Sequence, residues 1–147
     1  MKPSTECIQF LSLNEEILFK IQYTSDWLAF RQMKLLKKFN LSPEQYYVLK
    51  GIRENPKQTL SPREIRKYTS HRVSDISRML LRLEKKELIQ RKVSALDKRC
   101  TDINLTPEAV SLLAQIVPIM ESWLANFSAL TSRDKQSFQL LLNKIIK

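Results

Sequence analysis

The residues best suited to chemistry lie in the segment RVSDISRMLLRLEKK, residues 72–86, and their chemistry is binding rather than reaction. Ser74, Asp75, Ser77, Arg78 and Arg82 fall on one side of a helical period, away from Val73, Ile76, Leu80 and Leu83. An arginine on such a face can bond both acceptors of a guanine edge, a serine can reach a base or a phosphate, and an aspartate can accept from cytosine. The set is one for reading bases, with Arg78 as the principal reader. The competing assignment is a solvated face on which Arg78 and Arg82 pair with Asp75, Glu84 or neighbouring carboxylates. No paired acids, nucleophile elbow or phosphate-binding glycine loop accompanies these residues, so no enzyme is expected. Cys7, Cys100 and the single histidine, His71, match no metal-ligand spacing. Neither a metal nor another cofactor is expected, and both cysteines are read as reduced, small hydrophobes.

The elements that must position this face can be read on either side of it. SPREIRKYT opens with Ser61 as a cap, Pro62 at the first helical position and Glu64 reaching back. After Lys86 the pattern becomes LIQRKV, SALDKR and CTDINLT, which reads as strand, polar turn, strand. Two short helices followed by a hairpin make a helix-turn-helix with a wing, and the first turns of its second helix are what enters a major groove. Charge agrees with this. The chain carries a formal net charge of +10, and residues 61–105 hold twelve Lys and Arg against six Asp and Glu. Lys92 and Lys98 on the hairpin are candidate phosphate contacts, with plain solvated charge as the alternative. His71, in the turn between the helices, is read as a surface residue or a phosphate contact.

The run ISRMLLRLEKKELIQRKVSALDKRCTDINLT resembles the signature of the multiple antibiotic resistance regulator (MarR) family of winged-helix transcription factors, including an Asp-x-Arg wing element at Asp97-Lys98-Arg99. The order of the other helices follows the same family over nearly the whole chain. The resemblance implies that Arg99 enters the minor groove, where a narrow groove concentrates negative potential, and that Asp97 holds the wing turn. It also implies a homodimer on a pseudo-palindromic site, with a repressor as the commoner role. Small aromatic effectors bind many relatives between the dimer helices and the winged helix; Trp27, Phe30, Tyr46 and Tyr47 are the candidate lining here, with core packing as the alternative for each. One departure is Glu87, where relatives usually close the recognition helix with a left-handed glycine, which puts the cap geometry in question. The cysteine of peroxide-sensing relatives aligns with Leu18, although Tyr46 matches one of their tyrosines, so a redox sensor of that kind is not expected. Cys100, beside Arg99, is the other place where oxidation could register.

Taken in order, residues 13–38 contain no glycine or proline and carry a broad apolar arc, so a long helix touching two layers is expected. Ser42, Pro43 and Gln45 start a second helix whose buried side is Tyr46, Val48, Leu49 and Ile52. ENPKQT reads as a loop. Gly51, inside the helical pattern, costs about 1 kcal/mol relative to alanine, and close helix packing is the expected reason for it. Beyond the wing, Thr106-Pro107 and Thr131 with Asp134 start two apolar helices, the first interrupted by Pro118 and expected to kink there. The expected fold is mostly α with a small β wing. It is one domain, 1–147, with dimerisation helices in 1–38 and 107–147 around a winged helix-turn-helix lobe in 42–105. No apolar run is long enough to span a bilayer and no secretory signal opens the chain, so a cytoplasmic protein without a membrane partner is expected. The expected function is transcription regulation by sequence-specific binding to double-stranded DNA; the rival is a winged helix used for protein interaction or RNA binding, without specific DNA readout.

Overall fold

A computed structural model describes residues 8–68, 73–93, 98, 101–125 and 129–146. Its helices begin where local chemistry starts them. α1 (Leu13–Lys37) is capped by Ser12, whose Oγ accepts the Glu15 N–H at 3.2 Å. α2 (Pro43–Glu54) opens with a reciprocal capping box between Ser42 and Gln45. After a short strand, β1 (Thr59–Leu60), α3 (Pro62–Ile65) opens with the same device, Ser61 with Glu64, and closes in a 3-10 turn at Arg66–Tyr68. α4 (Val73–Lys85) follows, then strands β2 (Ile89–Val93) and β3 (Thr101–Leu105). α5 (Pro107–Leu124) is capped by Thr106 and continues through Pro118, and α6 (Ser132–Ile145) is boxed by Thr131 and Asp134.

The sheet has three strands where the sequence suggested two. β1 pairs antiparallel with β3, and the order is β1-β3-β2. Two residues are too short to show alternation, so no strand was read at Thr59, the end of ENPKQT, and Leu60. What makes the strand is tertiary: Leu60 is buried in the core, and the Thr59 hydroxyl donates to the Ile103 carbonyl at 3.2 Å.

The core lies where α2, α3, α4, α5 and the sheet meet, around Leu49, Ile52, Ile65, Leu80, Leu83, Ile103, Leu113 and Ile116. Tyr46, Val48, Leu49 and Ile52 form the buried side of α2, as the spacing predicts. Gly51 faces Tyr68: a β-carbon there would stand 2.6 Å from the Tyr68 Cε1 atom, so close packing against a ring is what this glycine permits. The terminal helices behave differently. α1 buries only Leu36, and leaves Ile17, Leu18, Phe30 and Met33 exposed, while α6 buries no residue at all. Within one chain α1 therefore meets the core only near its C-terminal end, and the expected two-layer contact is not made there.

Two helices end in the same way. At the end of α1, the Leu41 N–H donates to the Leu36 carbonyl at 3.2 Å and the Asn40 N–H to the Lys37 carbonyl at 2.9 Å, with Asn40 left-handed at φ 55°. At the end of α4, the Leu88 N–H donates to the Leu83 carbonyl at 3.0 Å and the Glu87 N–H to the Glu84 carbonyl at 2.9 Å, with Glu87 at φ 57°. Both are Schellman closures, each with a pair of buried leucines, Leu36 with Leu41 and Leu83 with Leu88. The geometry that a glycine would make easy is kept without one. Asparagine tolerates the left-handed region, whereas glutamate there carries a cost of roughly 1 kcal/mol or more. Glu87→Gly should therefore raise stability by about 0.5–1 kcal/mol after the entropy cost of glycine, read as a higher denaturant midpoint, while Glu87→Ala should give no such gain.

Candidate nucleic-acid interface

The position of α4 follows from its apolar stripe. Ile76, Met79, Leu80 and Leu83 are buried, which fixes the rotation of the helix and leaves Ser77, Arg78, Leu81, Arg82 and Lys85 exposed on the other side. Asp75 is half-buried in the first turn. Ser74 belongs to that turn by its backbone; its side chain and that of Val73 lie outside the described structure, as does His71. Met79 and Leu81 were missed in the sequence reading. The first sits at helical spacing from Ile76 and could have been found that way; the second puts an apolar side chain, 50% exposed, on the otherwise polar face.

Asp75, Arg78 and Arg82 share a shallow depression with Ser42 and Glu44 at the start of α2. This places two carboxylates near the two guanidinium groups. The carboxylate of Glu84, however, is taken from the other side, by Arg91 Nε of β2 at 3.2 Å, so one partner proposed for Arg78 and Arg82 is engaged elsewhere. The same pair ties β2 to α4.

On the wing, Lys92 lies in β2 opposite Asp102 of β3 and is exposed, and Lys98 is exposed beyond the strand. Asp97, Arg99 and Cys100 fall outside the described residues, as does Cys7. The root of the wing is firm. The Thr106 hydroxyl donates to the Glu87 carbonyl at 2.7 Å, and the Thr106 N–H donates to the Leu88 carbonyl at 3.2 Å, so the cap of α5 also holds the exit of α4.

A larger cleft, 690 Å³ in volume, opens between the end of α1, the start of α2 and the last turns of α4. Phe30, Met33 and Leu41 supply apolar lining, and Lys34, Lys37, Arg82 and Lys86 supply four cations with no carboxylate among the lining residues. Its size is that of a small-molecule site. Of the four aromatic residues suggested by the sequence, only Phe30 lines it. Tyr46 is buried, its ring in edge contact with Tyr47 at 5.3 Å, and burial pushes its hydroxyl pKa up from the ordinary value. Tyr47 accepts a hydrogen bond from Gln32 Nε2 at 2.8 Å, and Trp27 carries the Arg31 guanidinium 4.6 Å above its ring. Four aromatics thus serve three different environments. The cationic lining escaped the sequence reading because it comes from two elements far apart in the chain, α1 and the end of α4.

Among the described residues no group of His, Cys, Asp and Glu could hold a metal ion, and no helix is long and apolar enough to cross a membrane. Residues 39–99 match the profile of the MarR family. The HTH-type transcriptional regulator SarR of Staphylococcus aureus is 27% identical over 97 residues, covering 66% of this chain and 83% of SarR. Among solved structures, AbsC, a MarR family transcriptional regulator from Streptomyces coelicolor, superposes with a TM-score of 0.83 at 18% identity, covering 95% of this chain and 96% of AbsC. The MepR–DNA complex of S. aureus superposes with a TM-score of 0.82 at 22% identity, covering 92% of this chain and 97% of MepR. The α2-to-wing segment is thus similar to the MarR family, and the chain has, over nearly its full length, the winged-helix fold of these solved structures.

Proposed function

We propose that the chain is a sequence-specific DNA-binding transcriptional regulator, acting as a homodimer on a pseudo-palindromic site. The observation that carries this reading is α4, whose buried apolar stripe leaves Ser77, Arg78 and Arg82 exposed along one face inside a MarR fold. MepR, which shares that fold, has been solved bound to DNA. No catalysis belongs to this reading, since the relatives named above are transcriptional regulators. Ser74, Asp75, Ser77, Arg78 and Arg82 read bases in the major groove. Lys92, Lys98 and Arg99 engage phosphates and the minor groove, with Asp97 shaping the wing turn. Residues 42–105 form the DNA-binding lobe, and residues 1–38 and 107–147 form the dimer. Repression in the cytoplasm is the expected mode, and the cleft of four cations supports response to a small ligand.

The apolar surface of the terminal helices supports the dimer. Phe138, Leu141 and Ile145 of α6 are more than half exposed within one chain, and a patch of that kind marks an association surface. Light scattering should report a dimer, and Leu141→Asp should convert it to monomer and lower the melting temperature. On a monomer the same substitution, at an exposed site, would change stability by no more than about 0.5 kcal/mol.

Selection of bound duplexes from a random pool, followed by salt titration of the selected and a scrambled duplex, tests readout against mere charge. Arg78→Ala should cost roughly 1–3 kcal/mol on the selected duplex and relax preference at one position of each half-site. Lys92→Ala should weaken both duplexes evenly and reduce the salt slope by about one. Equal loss on both duplexes for Arg78→Ala would make Arg78 a phosphate ligand. Absence of any preferred duplex would favour a module for protein or RNA instead.

A further inference from the structure

One side chain on the outward face of α4 stands outside the binding set assigned above. Leu81 is 50% exposed, turned away from the core by the burial of Ile76, Met79, Leu80 and Leu83 on the opposite side of the helix. Its neighbours on the helix surface are Ser77 and Arg78 in the turn before and Glu84 and Lys85 in the turn after, all polar. Glu84 is engaged by Arg91, so the charges exposed around the leucine are those of Arg78, Arg82 and Lys85. A protein-binding patch is contiguous and apolar, and this is one apolar group among cations. Leu81 also lines neither the cleft beside α1 nor the depression beside the start of α2. Ser74, Ser77, Arg78 and Leu81 stand at i, i+3, i+4 and i+7, the spacing at which a helix lying in a major groove brings side chains to base edges.

We propose that Leu81 reads the C5-methyl group of a pyrimidine in the major groove, one or two base pairs beyond the pair that Arg78 contacts. The thymine methyl is the apolar feature that base edges present there, and a side chain without donors or acceptors selects by contact with it. Over a G·C pair the same leucine covers polar groups without replacing their hydrogen bonds to water, which disfavours that pair. The offset follows from helix geometry. Leu81 lies about 4.5 Å further along the axis than Arg78, and base pairs rise by about 3.4 Å. Cytosine methylated at C5 carries the same methyl into the same groove, so the group recognised is a 5-methylpyrimidine, whether thymine or 5-methylcytosine. The inference rests on the DNA-binding reading above, and its test is chosen to separate the two.

The duplex selected from the random pool is remade with deoxyuridine in place of one thymine at a time, which removes the methyl and keeps every hydrogen-bonding group of the base. At one position in each half-site the wild-type protein should lose about fourfold in affinity, the worth of one buried methyl group. Leu81→Ala should bind the thymine duplex at least as weakly as wild type binds the uracil one, and uracil should cost it nothing further. Leu81→Met, still apolar, should restore the preference for the methyl. At the same position 5-methylcytosine should bind wild type about fourfold better than cytosine does, and Leu81→Ala should not distinguish the two. Because the site is exposed, Leu81→Ala should melt and assemble as wild type does, so its loss of affinity is not a loss of fold. A uracil penalty equal in wild type and Leu81→Ala belongs to DNA shape and overturns the proposal. No uracil penalty at any thymine of a duplex preferred over the scrambled one overturns it as well and leaves the regulator reading standing, whereas absence of any preferred duplex fells both. A Leu81→Ala protein that sediments as a monomer where wild type is a dimer assigns the leucine to contact between copies of the chain, and likewise overturns the proposal.

Discussion

The exit of α4 is where the chain concentrates its constraints. Within three residues, Lys86 to Leu88, Leu88 returns a bond to Leu83, Glu87 turns left-handed, Thr106 bonds the carbonyls of Glu87 and Leu88, and Lys86 reaches across to Asn40 and Gln45. Each bond joins α4 to a different neighbour: itself, the cap of α5, and the corner of α1 and α2. A helix held so densely at one end, and rotated by the burial of Ile76, Met79, Leu80 and Leu83, has little freedom in how it presents its opposite face. The exposed arginines are consequences of that hold rather than independent features.

This arrangement also shows why glutamate can occupy a glycine's place. The unfavourable backbone region at Glu87 is one local cost, set against burial of Leu83 and Leu88 and the closing hydrogen bonds. Burying a leucine side chain is worth about 1.5–3 kcal/mol, more than the left-handed turn costs. The tertiary contacts win, and the corner forms.

What was legible in the sequence was what is decided within a few residues. Ser42 with Gln45, Ser61 with Glu64 and Thr131 with Asp134 all cap as their spacing says, because a capping box needs only four consecutive positions. The stripe of α4 was legible for the same reason, with Met79 overlooked beside it. β1 was not legible, since its two residues are strand only by pairing with β3, more than forty positions away. The cationic lining of the cleft was not legible for a related reason: Tyr46 is spent in the core, the alternative its spacing left open, and Lys34 and Lys37 of α1 come beside Arg82 and Lys86 at the end of α4 only through tertiary packing. The apolar arc of α1 was read as too broad for one contact, and its own chain buries only Leu36 of it.

α6 extends this last point to kinetics. It has 14 residues, none of them buried, and a helix of that length is marginal in water by itself. Its capping box favours the first turn but offers nothing to hold the last ones, where Ile145 and Ile146 face solvent. On the proposed dimer, helicity in this segment becomes a bimolecular property, completed when two chains meet and lost on dilution. A newly made chain would then pass through a stage with a finished core and an unfinished C-terminal helix, and the time spent there would shorten as the chain accumulates.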